Sequence, residues 1–247
     1  MTWEELKEEA KKMGCKMIDI LYILGRGSKH DNMELRLSLR CLEKNCHGMG
    51  RVFIVGNKPD WVQNVIHIPA EDTWTAENNA FQKILKACRS DISDTFLLMN
   101  DDFFMLKEFY TFGYPQYIRG ELLITDKDDP YSRSVNKTAE FLHDFGIEMP
   151  ANFEVHCPIN FNKHKFLLLS DIAERFKKEP TGLLCRSLYW NIFNNQYFES
   201  HIVQDTKLRT DEWKEPNQTG CISTSDDCDN ILKVIEGMYP NKSRWEK

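Results

Sequence analysis

The sequence predicts an α/β fold in which one mostly parallel sheet is flanked by helices. Three observations carry this reading. Short apolar runs at 16–24, 51–56 and 94–99 read as strands, the last with the character of one buried on both faces. Stretches with a 3.6-residue apolar period alternate with them. The connections between the two are short, as crossover units of strand, helix and parallel strand require. With 247 residues, 41% of them hydrophobic, the chain can bury a single large core, and one domain is the economical expectation.

Thr2 followed by Glu5 is a capping-box pattern, so an amphipathic helix is expected to about Met13. The first core strand, 16–24, opens into Gly25-Arg26-Gly27-Ser28. Residues 32–44 read as a helix with Leu35, Leu39 and Leu42 on one face and Arg36 and Arg40 off it. Strands are expected at 51–56, 65–68 and 94–99, with a helix at 77–87 between the last two. Further on, a short strand is read at 122–124 and helices at 132–145, 163–176 and 185–194. The polar stretch 210–229 reads as a surface segment before a final helix ending near Met238.

Composition narrows the function classes. The net charge of −6 gives no global field to attract nucleic acid. The longest apolar stretches fall far short of the roughly 20 residues that span a bilayer. The acidic, amphipathic start does not resemble a secretory signal. Eight cysteines without any Cys-x-x-Cys pair read as reduced and structural, in a cytoplasmic protein, because zinc-ligand spacing is missing.

The feature with the most chemical content is Asn100-Asp101-Asp102 at the end of the run Thr95-Phe96-Leu97-Leu98-Met99. Carboxylates at the mouth of a buried strand are costly unless paired or metal-bound. Mg²⁺ and Mn²⁺ take one or two carboxylates together with substrate phosphate oxygens, and ligands of open α/β sheets sit off the carboxyl ends of the strands. Asp101 and Asp102 are therefore the expected metal ligands, and the alternative is a solvated turn. Gly25, Arg26, Gly27 and Ser28 form a loop that can either approach a ligand closely or serve as a tight turn. It matches neither phosphate-binding glycine signature. Arg36 and Arg40 have the fork geometry for phosphate, or else form a solvated helix face. Asn79 and Asn100 complete the candidate nucleotide-binding set. His156 is either a general base or a satisfied core histidine, and Arg186 is a candidate to neutralise phosphate charge.

Taken in order, these pieces resemble the Stealth family of nucleotide-sugar-dependent sugar-phosphate transferases, whose fold is related to the GT-A glycosyltransferases. The second block of that family is matched by 32–44, by 51–56, by Pro59-Asp60-Trp61 and by 96–103. His156-Cys157-Pro158 followed by Lys163 or Lys165, with Ser134 and Asn136 on the preceding helix, resembles the third block, and Arg186-Ser187 the start of the fourth. The resemblance spans 18–194 and implies a compact relative of bacterial or phage type. The family's first block ends in Thr-Trp-Val-Asp-Gly, whereas this chain has Tyr22-Ile23-Leu24-Gly25-Arg26-Gly27-Ser28.

The resemblance implies a GT-A-like (Rossmann-like) transferase domain, and the whole chain, 1–247, is read as that single domain, with the polar tail outside the resemblance. Its expected parts are an N-terminal helix (1–15), a nucleotide-binding half (16–125), an acceptor and catalytic half (126–209) and a C-terminal tail (210–247). The implied donor is a nucleotide sugar held through Mg²⁺ or Mn²⁺ on Asp101 and Asp102. Asp102, His156 and Arg186 are the implied catalytic set, with His156 as base for a saccharide or other hydroxyl acceptor. The altered first block leaves open whether a sugar or a sugar-1-phosphate moves. Two alternatives accompany this reading: a glycosyltransferase acting on modified phage DNA, and an inactive GT-A-like interaction module.

Overall fold

Alternating apolar side chains on a central strand need cover on both faces, and the first strand shows how this chain provides it. In a computed structural model, which describes residues 17–25, 28, 31–194 and 201–247, β1 (Ile18–Leu24) lies in the middle of a five-stranded sheet. The order is β4 (Ile66–Ile68), β3 (Met49–Gly56), β1, β5 (Thr95–Met99) and β8 (Ile159–Asn162). The first four strands run parallel, and β8 closes the edge antiparallel to β5. The expected α/β architecture with a mostly parallel sheet is therefore present.

Leu21, Phe53, Val55, Phe96 and Leu98 point to one face, where α2 (Ala76–Cys88), α3 (Pro130–Asp144) and α6 (Cys185–Phe193) cover them. Ile20, Tyr22, Ile54, Leu97 and Met99 point to the other, against Leu35, Leu39 and Leu42 of α1 (Met33–Asn45). The opposite side of α1, with Leu37 and Cys41, packs on β6 (Phe103–Met105) and on α7 (Asp229–Met238). Two short strands, β2 (Cys46–His47) and β7 (Phe109–Tyr110), pair in parallel.

Three segments differ from expectation. Residues 122–124 form no strand, and only Glu121 bridges, to Ala151. The side chain of Asn136 accepts from Thr125 N–H and donates to Thr125 C=O, so it replaces a strand partner there. The helix read at 163–176 is two helices, α4 (Lys163–Leu167) and α5 (Ser170–Phe176). The Ser170 hydroxyl takes the Leu167 carbonyl at the break, while Leu169 is buried and Leu168 faces solvent. The stretch 210–229 is not merely surface. It contains β10 (Cys221–Thr224), buried throughout, between β6 and β9 (Lys207–Leu208).

The expected N-terminal helix lies outside the described residues. All seven described cysteines are free and buried, and burial pushes a thiol such as Cys88 up to about 12. Among the described residues no helix is long and apolar enough to cross a membrane.

Candidate functional site

The chain runs from β1 outward to β3 and β4, then returns through α2 to β5 on the other side of β1. Strand order therefore reverses between β1 and β5, where an open sheet leaves a crevice at the carboxyl ends. Leu24 and Gly56 pair at the last position of β1 and β3. A Cβ on Gly56 would sit 2.0 Å from the Leu24 carbonyl oxygen, and its φ of +118° belongs to glycine. That carbonyl also accepts from the buried Lys83 ammonium at 2.7 Å, and Lys83 in turn pairs with Asp72. The strand end leading to Gly25 is thus fixed from two sides. Ser28 follows, its hydroxyl donating to Glu34 at 2.9 Å and accepting from Asn32 N–H at 2.8 Å.

Across the crevice the chain turns sharply after Met99, with Phe103 N–H donating to Asn100 C=O at 3.2 Å. Asp101 and Asp102 are half-buried in this turn. Burial, the neighbouring Asp102 charge and Glu34 push the Asp101 carboxyl up to about 7. Asp102 is held from the far end of the chain: Ser223 Oγ donates to its Oδ2 at 2.5 Å, and Lys207 Nζ lies 3.4 Å from the same oxygen.

The third wall is His156, a quarter exposed. Its Nδ1 donates to Asp205 Oδ1 at 2.8 Å and its backbone N–H to the same oxygen at 3.2 Å. Burial raises the Asp205 carboxyl, but the His156 hydrogen bond and charge, with Arg119 beyond, outweigh it and hold this acid well below the usual range. Behind His156, the buried Arg186 donates from Nη1 to Val155 C=O at 2.6 Å and lies 5.3 Å over the Phe103 ring. Together these walls enclose a polar cleft of about 300 Å³. A larger hollow of about 740 Å³ lies at the opposite, amino-terminal end of β3 and contains no such acid pair.

Of the residues singled out in the sequence, Gly25, Ser28, Asn100, Asp101, Asp102 and His156 line this one cleft. Arg26 and Gly27 lie outside the described residues. Arg186 stands behind the cleft rather than on its wall. Three others are placed elsewhere. Arg40 forms a two-pronged pair with Glu246, at 2.9 Å from Nε and from Nη2, and Arg36 reaches the same carboxylate while lying 3.9 Å over Trp61. Asn79 spends its amide on Thr73 N–H, Trp74 N–H and Trp74 C=O, which fixes the entry to α2. Conversely, Asp205, Lys207, Thr224, Ser225 and Asp226 belong to the site or its support and were not singled out. They come from polar segments without periodicity, so no local signal marks them.

Among the described residues no group of three or more His, Cys, Asp or Glu side chains is placed to hold an ion by itself. The donor set still fits Mg²⁺ or Mn²⁺, which needs only one or two carboxylates when phosphate oxygens fill the remaining positions. The Asp101 carboxyl is raised first by burial and then by the Asp102 charge, and a cation beside the pair would favour its ionised form. No family model matches this chain, and the curated proteins contain no similar sequence.

Proposed function

We propose that this protein is a GT-A-like, Stealth-type transferase that uses a nucleotide sugar and moves a sugar or sugar-1-phosphate to a hydroxyl acceptor. The observation that carries the reading is the position of Asp101-Asp102 at the strand-order reversal, facing His156 across one polar cleft. The resemblance in blocks at 32–61, 96–103, 156–158 and 186–187 supports it.

Asp101 and Asp102 would hold Mg²⁺ or Mn²⁺, which supplies Lewis-acid stabilisation of negative charge on the diphosphate. Ser223 and Lys207 hold the Asp102 carboxylate through Oδ2, and Asp102 lines the cleft. Gly25 and the Ser28 backbone form the side on which the diphosphate rests. Asp205 holds His156 with Nδ1 protonated, which leaves Nε2 as the atom that accepts the hydroxyl proton of the acceptor. Asp205 then stabilises the imidazolium that forms. Arg186 balances charge behind the histidine.

A thermal-shift screen of nucleotide sugars with Mn²⁺, followed by identification of the released nucleotide, tests the reading. A nucleoside diphosphate product means glycosyl transfer, and a monophosphate means sugar-phosphate transfer. Absence of any metal-dependent shift across the common donors rejects both.

A further inference from the structure

We propose that Arg119 and Arg209, backed by the charge of Arg186, form a second, metal-independent anion subsite beside His156, which receives a phosphate group carried by the acceptor. The proposal rests on the transferase reading for the word acceptor, but the binding site itself does not.

The three arginines come from different parts of the chain: Arg119 and Arg209 reach Asp205, and Arg186 binds the carbonyl of Val155, the residue before His156. Arg119 Nη1 lies 3.6 Å and Arg209 Nη2 3.9 Å from the same atom, Asp205 Oδ2. Both distances are too long for hydrogen bonds, and Asp205 Oδ2 is a buried oxygen without a hydrogen-bond donor. Among the described residues neither arginine donates a side-chain hydrogen bond at all, so both forks keep their donors. Two guanidinium nitrogens this close to one oxygen are within reach of a single tetrahedral anion. Arg186 supplies the backing charge. It is 8% exposed, donates only from Nη1, and has a buried Nη2 with no partner. A buried guanidinium with an idle donor is costly, and its uncompensated charge adds to the field that draws an anion to Arg119 and Arg209.

Charge supports the same assignment. Asp205 faces His156 and the two exposed arginines, while the nearby Glu154 is occupied by Ser187 N–H and Oγ. Three arginines against two carboxylates, one of them committed to His156, leave the region positive. The cleft on the other side of His156, lined by Glu34, Asp101, Asp102 and Asp226 with Lys207, is acidic. His156 therefore divides a cation-seeking end, which is the cleft, from an anion-seeking end at the arginines outside its wall. A phosphate suits the second end better than a carboxylate, since its additional oxygens use more of the free forks.

The test uses inorganic phosphate on the full chain in EDTA, read by calorimetry and melting temperature, beside acetate at equal ionic strength. Wild type should bind phosphate and not acetate. The double variant Arg119→Gln/Arg209→Gln should weaken phosphate binding by about tenfold or more, while Arg119→Lys/Arg209→Lys retains part of it. Mn²⁺-pyrophosphate, which probes the acidic end, should bind the Gln variant as it binds wild type. No phosphate binding by wild type, an equal response to acetate, or equal phosphate affinity in the Gln variant overturns the subsite. A parallel loss of Mn²⁺-pyrophosphate binding in that variant also overturns it, by assigning the arginines to the donor. If Mn²⁺-pyrophosphate fails to bind wild type while phosphate binds as described, the metal-site reading fails and the subsite stands.

Discussion

Asp205 Oδ1 accepts two hydrogen bonds from one residue, the imidazole Nδ1–H and the backbone N–H of His156. The pairing fixes the ring's tautomer and orientation together, since the backbone bond holds the carboxylate beside the ring. Thr206, the residue after this acid, closes the arrangement by donating its hydroxyl to the His156 carbonyl. This double anchor leaves Nε2 as the acceptor nitrogen that the proposed general base would use.

His156→Gln should therefore keep the fold and Mn²⁺-dependent donor binding but lower turnover by roughly 10²–10⁴-fold. Asp205→Asn should act in the same direction by less, because the base remains while its tautomer is freed. Asp205 also carries a pH signature. Its carboxyl is depressed in the folded state, so its stabilisation is complete above the ordinary carboxylate range and is lost as pH falls below it. Melting curves in acid should show a smaller loss for Asp205→Asn than for wild type. Unchanged turnover of His156→Gln together with a lowered melting temperature removes the catalytic role.

Asp101 has the opposite sign. Its carboxyl is raised from 3.8 to about 7, so the metal-free protein is most stable while this acid is protonated and loses stability as pH rises through that window. In EDTA, the melting temperature should decline between those values, and Asp101→Asn should flatten the decline. Adding Mn²⁺ above the window should raise the wild-type melting temperature and leave Asp101→Asn nearly unmoved. A wild-type profile identical to that of Asp101→Asn, with and without Mn²⁺, defeats the metal assignment.

Arg40 pairs with a Glu246 carboxylate whose side chain is fully buried. Removing one partner of a buried pair costs about 3–5 kcal/mol when the other charge is left uncompensated, and Arg36 and Ser243, which also reach Glu246, reduce that cost here. Arg40→Ala should thus lose stability on urea unfolding while the folded protein binds Mn²⁺-pyrophosphate with unchanged affinity. A selective loss of that affinity would return Arg40 to the donor site.

The elements with a strong period were legible in the sequence. The helix read at 32–44 is Met33–Asn45, and the strand read at 94–99 is Thr95–Met99. Both owe their form to a local apolar pattern that the sheet and its layers then bury. The acid pair was legible for the same reason, since it stands at the end of such a strand. What could not be read is what depends on remote partners. Arg40 finds Glu246 across 206 positions, and His156 finds Asp205 across 49. Asn79 resembles any polar helix residue until its amide is seen closing the loop before α2. Cys221–Thr224 was hidden because Ser223 is buried through a bond to Asp102, so its polarity gave a surface signal.

Gly56 offers the most direct test of how the strand ends support the cleft. Its positive φ already costs a non-glycine residue about 1–3 kcal/mol. Any Cβ also meets the Leu24 carbonyl oxygen, which belongs to backbone and cannot turn aside. Relief requires β1 and β3 to part at the Leu24–Gly56 pair, and that motion pulls the carbonyl from Lys83 and shifts Gly25. Gly56→Ala should therefore lower stability and, at temperatures where the protein stays folded, weaken Mn²⁺-pyrophosphate binding. Leu97→Ala is the control, because it removes core volume at a cost of about 2–5 kcal/mol without touching the strand ends. Denaturant unfolding and calorimetry on the two variants separate the effects. If Gly56→Ala binds Mn²⁺-pyrophosphate as tightly as Leu97→Ala does, the end of β1 does not position the anion site.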